Sequence, residues 1–259
     1  MSLFVARAIA GVVFAAGMGA AIPVRADALL EQGPEYRYQL DFHVPDAALQ
    51  KMLPPGWVSA AATAGPAKDA NLRLIFIDRI AVLGPDGKPL GRGSARMVYL
   101  AAPVKQSAGE ATGQMIVAGL TDNAADAPGP FGVYQYAPSV KMSRSVSASA
   151  GAPLAEEDWD FMSANGERMQ VHVKYERAAA AKGGGDVKFF NPSDPSKYQI
   201  FRTEQGTDIT RNMTTNPPDH VKEFSYRVTG SRLAGLFDGT EKVLSWDSQP
   251  WYNRSVIAP

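Results

Sequence analysis

Cysteine is missing from all 259 residues. That absence removes disulfides, thiolate nucleophiles, cysteine-ligated zinc and iron–sulfur clusters, together with the lipidated cysteine of a bacterial lipoprotein. Histidine is nearly as scarce, with only His43, His172 and His220. A zinc site built without cysteine needs several histidines and a carboxylate at converging positions, so no metal is expected. An excess of one charge is lacking too: 26 lysines and arginines face 26 aspartates and glutamates. Nucleic acid would call for clustered cations, and an anionic membrane surface for a basic amphipathic helix. Neither partner is expected. The G-x-S-x-G, H-E-x-x-H and P-loop motifs are also absent, and nothing implies a cofactor.

Long apolar runs are confined to the beginning of the chain. Arg7 leads into the run from Ala8 to Ile22, followed by Pro23, Val24-Arg25-Ala26 and then Asp27. This is the layout of a secretory signal peptide over residues 1–26. The run is shorter than the about 20 apolar residues of a membrane-spanning helix. The expectation is export, to the periplasm first and to full secretion second, with no membrane insertion after signal removal. Loss of Arg7 and Arg25 leaves 24 basic against 26 acidic side chains. An exported chain without disulfides must rest on its hydrophobic core, and residues 27–259 are ample for a single domain.

What is present reads as strand. Tyr36, Tyr38, Leu40 and Phe42 alternate with Arg37, Gln39, Asp41 and His43, the period of a strand with one buried and one solvated face. A short helix is predicted from Asp46 to Leu53, stopped by Pro54-Pro55-Gly56. Further strands are predicted over 71–83, 94–104, 111–121, 133–137, 140–148, 159–162 and 169–177, the last two joined at Asn165-Gly166. Residues 178–186 have the composition of a flexible linker. The strand-then-helix pattern returns when Phe224, Tyr226 and Val228 lead into Leu233, Leu236 and Phe237. No long helical crossovers intervene. The fold class is therefore mainly β: a single-domain curved or closed antiparallel β-barrel with two short helices.

Candidate functional residues cluster in Phe131–Arg144, which holds Tyr134, Tyr136, Lys141 and Arg144 among glycines and prolines. Burial lowers a lysine pKa, and a neutral amine can form a Schiff base with a carbonyl. Lys141 is thus the candidate catalytic residue. On a strand it shares a face with Ser143 and Ser145, while Arg144 points the other way. Arg96, on one face with Arg92 and Ser94, suits a carboxylate ligand. Arg96, Tyr134, Tyr136 and Arg144 are the candidate ligand-binding residues.

With these residues in view, the chain resembles the acetoacetate decarboxylase-like superfamily. The likeness rests on Asp46-Ala47-Ala48-Leu49 with Leu53-Pro54-Pro55-Gly56, on Tyr134, Pro138 and Lys141 in that order, and on Phe237-Asp238-Gly239 with Pro250-Trp251-Tyr252-Asn253-Arg254. The resemblance implies a closed antiparallel barrel around a cavity and a Schiff-base lysine, here Lys141. Met142 stands where the family has a second lysine. The first functional expectation is an exported barrel that binds a small apolar or carboxylate-bearing molecule in its interior. The second is a Schiff-base lyase acting on a small keto acid through Lys141, and the third an interaction protein of the envelope.

Overall fold

The computed structural model describes residues 27–148, 151–213 and 219–259, so the proposed signal peptide lies outside the described residues. Seven strands close a barrel: β1 (Ala28–His43), β3 (Leu72–Arg79), β4 (Ala95–Gln106), β5 (Thr112–Thr121), β10 (Ala181–Asn191), β11 (Asp194–Asn212) and β13 (Lys242–Ala258). Around the ring they run β4-β3-β1-β13-β11-β10-β5 and return to β4. The pairings are antiparallel except β10 with β5, which is parallel and limited to Phe189↔Gln114 and Phe190↔Met115. The short strands β2 (Trp57–Ser59) and β6 (Tyr134–Tyr136) extend the wall beside β4 and β5.

A second sheet, in the order β12-β9-β8-β7, is built from β7 (Ser139–Ser147), β8 (Leu154–Met162), β9 (Arg168–Glu176) and β12 (Val221–Thr229). The predicted alternation explains how it packs. Trp159 and Phe161 of β8, with Met169, Val171, Val173 and Tyr175 of β9, form one buried cluster with Tyr36, Tyr38, Leu40 and Phe42 of β1. That cluster lies between the second sheet and the outer face of the barrel. The barrel's inner face carries a smaller apolar cluster, with Ile75, Ile77, Tyr99, Phe189 and Phe201 among its members.

Three expectations are corrected. The polar face of β1 is not solvated: Glu35, Arg37, Gln39 and Asp41 are buried, because closure of the ring turns that face inward. Residues 181–186 are no linker, since β11 satisfies their backbone from Ala181↔Thr207 to Asp186↔Arg202. Any side chain at Gly184 would meet the backbone oxygen of Thr203. The helices are also fewer than drawn. The first is α1 (Asp46–Gln50), and a 3-10 turn occupies Ala124–Asp126. The Leu233–Phe237 segment makes only turns, bounded by Gly230 and Gly239 at positive φ.

Inside the large cluster sits one carboxylate, Glu157, fully buried. It accepts hydrogen bonds from Tyr36 OH, from Tyr175 OH at 2.8 Å and from Trp159 Nε1 at 3.1 Å. Burial raises its carboxyl above the usual range, against the pull of these donors. Glu157→Ala leaves Trp159 Nε1 without its acceptor, while the two tyrosine hydroxyls keep Ser248 Oγ, at 3.0 and 2.9 Å. A loss of about 1–3 kcal/mol, the cost of a buried unsatisfied group, is expected in urea unfolding. An unchanged midpoint would mean that Trp159 Nε1 finds another acceptor.

Candidate functional site

The barrel interior is crossed by a layer of charge. Alternation along β1 points Glu31, Glu35 and Arg37 inward, and the pairings place Arg79 of β3 opposite Glu35 and Arg254 of β13 near Glu31. Arg37 donates to Glu35 Oε2 through Nε at 2.8 Å and Nη2 at 2.6 Å. Arg254 Nη2 lies 2.8 Å from Glu35 Oε1 and 3.2 Å from Glu31 Oε1. Arg79 Nη2 donates to Glu31 at 2.6 Å, while its Nε, 3.4 Å from Glu35, makes no hydrogen bond. Burial would raise the Glu35 carboxyl, but Arg254, Arg37 and Arg79 together hold it down to about 2. Arg79 is pushed down from the ordinary guanidinium range by burial and by Arg254. Asp126, at the border of the smaller chamber, acts on Arg79 as a third carboxylate, so three cations face three anions and Arg79 Nε is left without a hydrogen bond.

The layer separates two chambers along the barrel axis. The smaller, of about 310 Å³, is bordered by Arg79, Arg254 and Glu31, with Met97, Phe131 and Tyr134 as its apolar wall. Gly119 of β5 is required there, since a Cβ would lie 2.5 Å from the Tyr134 ring. The larger, of about 450 Å³, is bordered by Arg37, Asp41, Arg73, Tyr99, Asp247 and Gln249. Its wall is incomplete where β10 leaves β5, and Gly184, Gly185 and Asp186 edge it there. Its lining mixes these groups with Ile75, Phe189 and Phe201.

The five residues singled out in the sequence do not form one site. Tyr134 alone lines an interior chamber. Burial pushes its hydroxyl up, with Tyr99 adding to the shift. Lys141 is exposed on β7, at the edge of the second sheet, opposite Asp160. Tyr136 is exposed as well. Arg96 lies outside the barrel, 3.3 Å from Asp78 and 3.8 Å from Asp122. Arg144 stacks over the Tyr36 ring at 3.7 Å and borders a third cavity, of about 250 Å³, between the sheet and the barrel. Among the described residues, no lysine borders any of the three cavities. On the outer face of the second sheet, Glu156, Asp158 and His172 offer atoms within 4.8 Å of one another, in an exposed position. Of the interior arginines, Arg37 reads from sequence as part of a solvated strand face, and Arg79 and Arg254 carried no signal of burial.

No protein-family model matches the sequence, and no curated protein matches it. Solved structures do match in fold. The enduracididine biosynthesis enzyme MppR with HEPES buffer bound aligns over 97% of this chain and 96% of its own, at 13% identity and a TM-score of 0.55. MppR complexed with pyruvate aligns over 91% and 90%, at 12% identity and a TM-score of 0.53. An acetoacetate decarboxylase-like enzyme from Sphingomonas wittichii RW1 aligns over 90% and 92%, at 11% identity and a TM-score of 0.57. In fold, over nearly its whole described length, the chain is similar to acetoacetate decarboxylase-like enzymes.

Proposed function

We propose that this chain takes a small carboxylate-bearing molecule into its barrel, against the arginine layer, and that it works outside the cytoplasm. The observation that carries the first part is Arg79 Nε, buried at the border of the smaller chamber with no hydrogen-bond partner among the described residues. A carboxylate supplies the missing acceptor. The apolar wall of the smaller chamber, Met97, Phe131 and Tyr134, suits a short carbon skeleton. The pyruvate complex of MppR supports the same ligand chemistry in this fold. Export rests on the tripartite layout of residues 1–26.

Titration calorimetry with pyruvate, acetoacetate and acetate tests the binding. Arg79→Met should weaken pyruvate binding at least about tenfold, the scale of a lost charge-assisted hydrogen bond. Failure of every carboxylate to bind, or equal binding by the variant, would remove this reading.

Likeness to acetoacetate decarboxylase-like enzymes favours a second reading, a Schiff-base lyase acting through Lys141. Lys141 itself is exposed on β7 and borders none of the three cavities. Borohydride trapping with keto acids, followed by peptide mapping, separates the two. An adduct on Lys141 that disappears in Lys141→Ala would establish the lyase.

A further inference from the structure

The larger chamber differs in charge from the layer beneath it. Two carboxylates face it, Asp41 and Asp247, with Arg73 as the cation between them. Arg73 Nε lies 3.2 Å from Asp41 Oδ1 without making a hydrogen bond to it, and its charge also acts on Asp247. Asp41 is further satisfied by Ser245 Oγ, which donates at 2.9 Å, and by Gln39 Nε2 at 3.2 Å. The other charges at the border are also taken, Arg37 by Glu35 and Asp186 by Arg202. Arg73 is thus one cation shared by two carboxylates, Asp41 and Asp247. Asp247 is only 8% exposed, and its Oδ1 has no hydrogen-bond partner among the described residues.

Nor is Asp247 alone in this. The same chamber is bordered by three more buried oxygens without a partner: Gln249 Oε1, Gln114 Oε1 and the hydroxyl of Tyr99. Two of these four oxygens are amide acceptors, one belongs to a carboxylate, and only the phenol can itself donate. Buried groups of this kind are normally satisfied, so four in one cavity point to a ligand rich in donors. A neutral polyol would satisfy the amides but leave Asp247 sharing Arg73 with Asp41. A second carboxylate would meet Asp247 with like charge.

We infer that the larger chamber is a binding site for a small primary amine, its ammonium donating to Asp247 Oδ1 and adding a second cation to Arg73, which stands between Asp41 and Asp247. The remaining donors of the molecule meet Gln249, Gln114 and Tyr99. About 450 Å³ holds a ligand of several heavy atoms. The incomplete wall beside Gly184 and Gly185, where no side chain beyond Cα projects, gives it a way in. Burial, together with the nearby Asp41 carboxylate, pushes the Asp247 carboxyl well above its ordinary value, a cost that a bound cation relieves. The site is independent of the carboxylate proposed for the arginine layer.

The test is calorimetric titration of the whole protein with 1,4-diaminobutane and ethanolamine. The matched diols 1,4-butanediol and ethylene glycol serve as neutral comparisons, and pyruvate as the control for the other chamber. The amines should bind at least about tenfold more tightly than the diols, the margin of a charge-assisted bond. Asp247→Asn should remove that margin and leave pyruvate binding unchanged. It should also raise the melting temperature by about 2–4 °C, because one of two buried carboxylates sharing a cation is gone. A residue with only a structural role would not lose ligand affinity while gaining stability. Diols binding as well as amines, no amine binding at millimolar concentration, or full amine binding by Asp247→Asn would each overturn the inference. Should Asp247→Asn not fold, Gln249→Leu must weaken amine binding, and unchanged affinity overturns the inference equally. Pyruvate binding without amine binding sinks the amine site alone, and the reverse sinks only the carboxylate reading.

Discussion

Glu35→Gln is expected to cost about 3–5 kcal/mol of folding stability, because it breaks a buried charge network from one side. Glu35 meets Arg37, Arg79 and Arg254 within 3.4 Å. Without its charge, Arg37 loses its carboxylate partner and Arg79 and Arg254 are left to share Glu31. The same carboxylate fixes a pH dependence. Its value in the folded protein is about 2, against an ordinary 4.5. The stability it contributes is therefore fully present above 4.5 and is lost as pH falls from 4.5 towards 2. Two and a half units at about 1.4 kcal/mol each give about 3 kcal/mol, in line with the mutational figure. Asp247 acts with the other sign. Its raised value means that its penalty grows as pH rises above the ordinary 3.8. Urea unfolding from pH 2 to 7 checks both effects: in Glu35→Gln the acid-side loss should flatten, with the midpoint at neutral pH well below that of the parent. A variant as stable as the parent at pH 7 would mean that the arginines reach solvent or another anion.

Trp159→Ala should be comparably damaging, at about 3–5 kcal/mol, for a different reason. Trp159 is fully buried where the second sheet meets the barrel. Its ring stacks on Tyr36 at 6.3 Å and tilts against Phe76 at 6.0 Å, while its Nε1 holds Glu157. Removing it opens a large cavity between the two layers and strands part of the Glu157 network at once. Denaturant unfolding followed by fluorescence and circular dichroism should show one transition at a much lower midpoint. A loss below about 1 kcal/mol would mean that the second sheet is held mainly elsewhere.

The fold class was legible because alternation with period two is a local property. Tyr36 to Phe42 and Met169 to Tyr175 announce strands with one apolar face, and those faces meet each other. The Asn165-Gly166 step likewise marked the hairpin joining β8 and β9 correctly. Local signals failed where glycine was read as flexibility. Gly183, Gly184 and Gly185 pair along β11, since a long partner strand supplies hydrogen bonds along one edge that composition alone cannot foresee.

The site was far less legible than the fold. Lys141 and Arg144 drew notice because they interrupt an apolar stretch, yet β7 is an edge strand and both remain exposed. Arg37 was assigned to the solvated face of its strand, because a charged residue alternating with aromatics is the ordinary sign of a face in water, and Arg79 and Asp247 drew no notice. By itself, the sequence determined the strands, their apolar faces and the chemistry excluded by missing cysteine. Only the closed ring decided where the other face went. A strand pattern states that two faces differ, but not which is enclosed, and in this barrel both are. The charges that sequence assigns to solvent therefore become the buried arginine layer and the acidic chamber beside it.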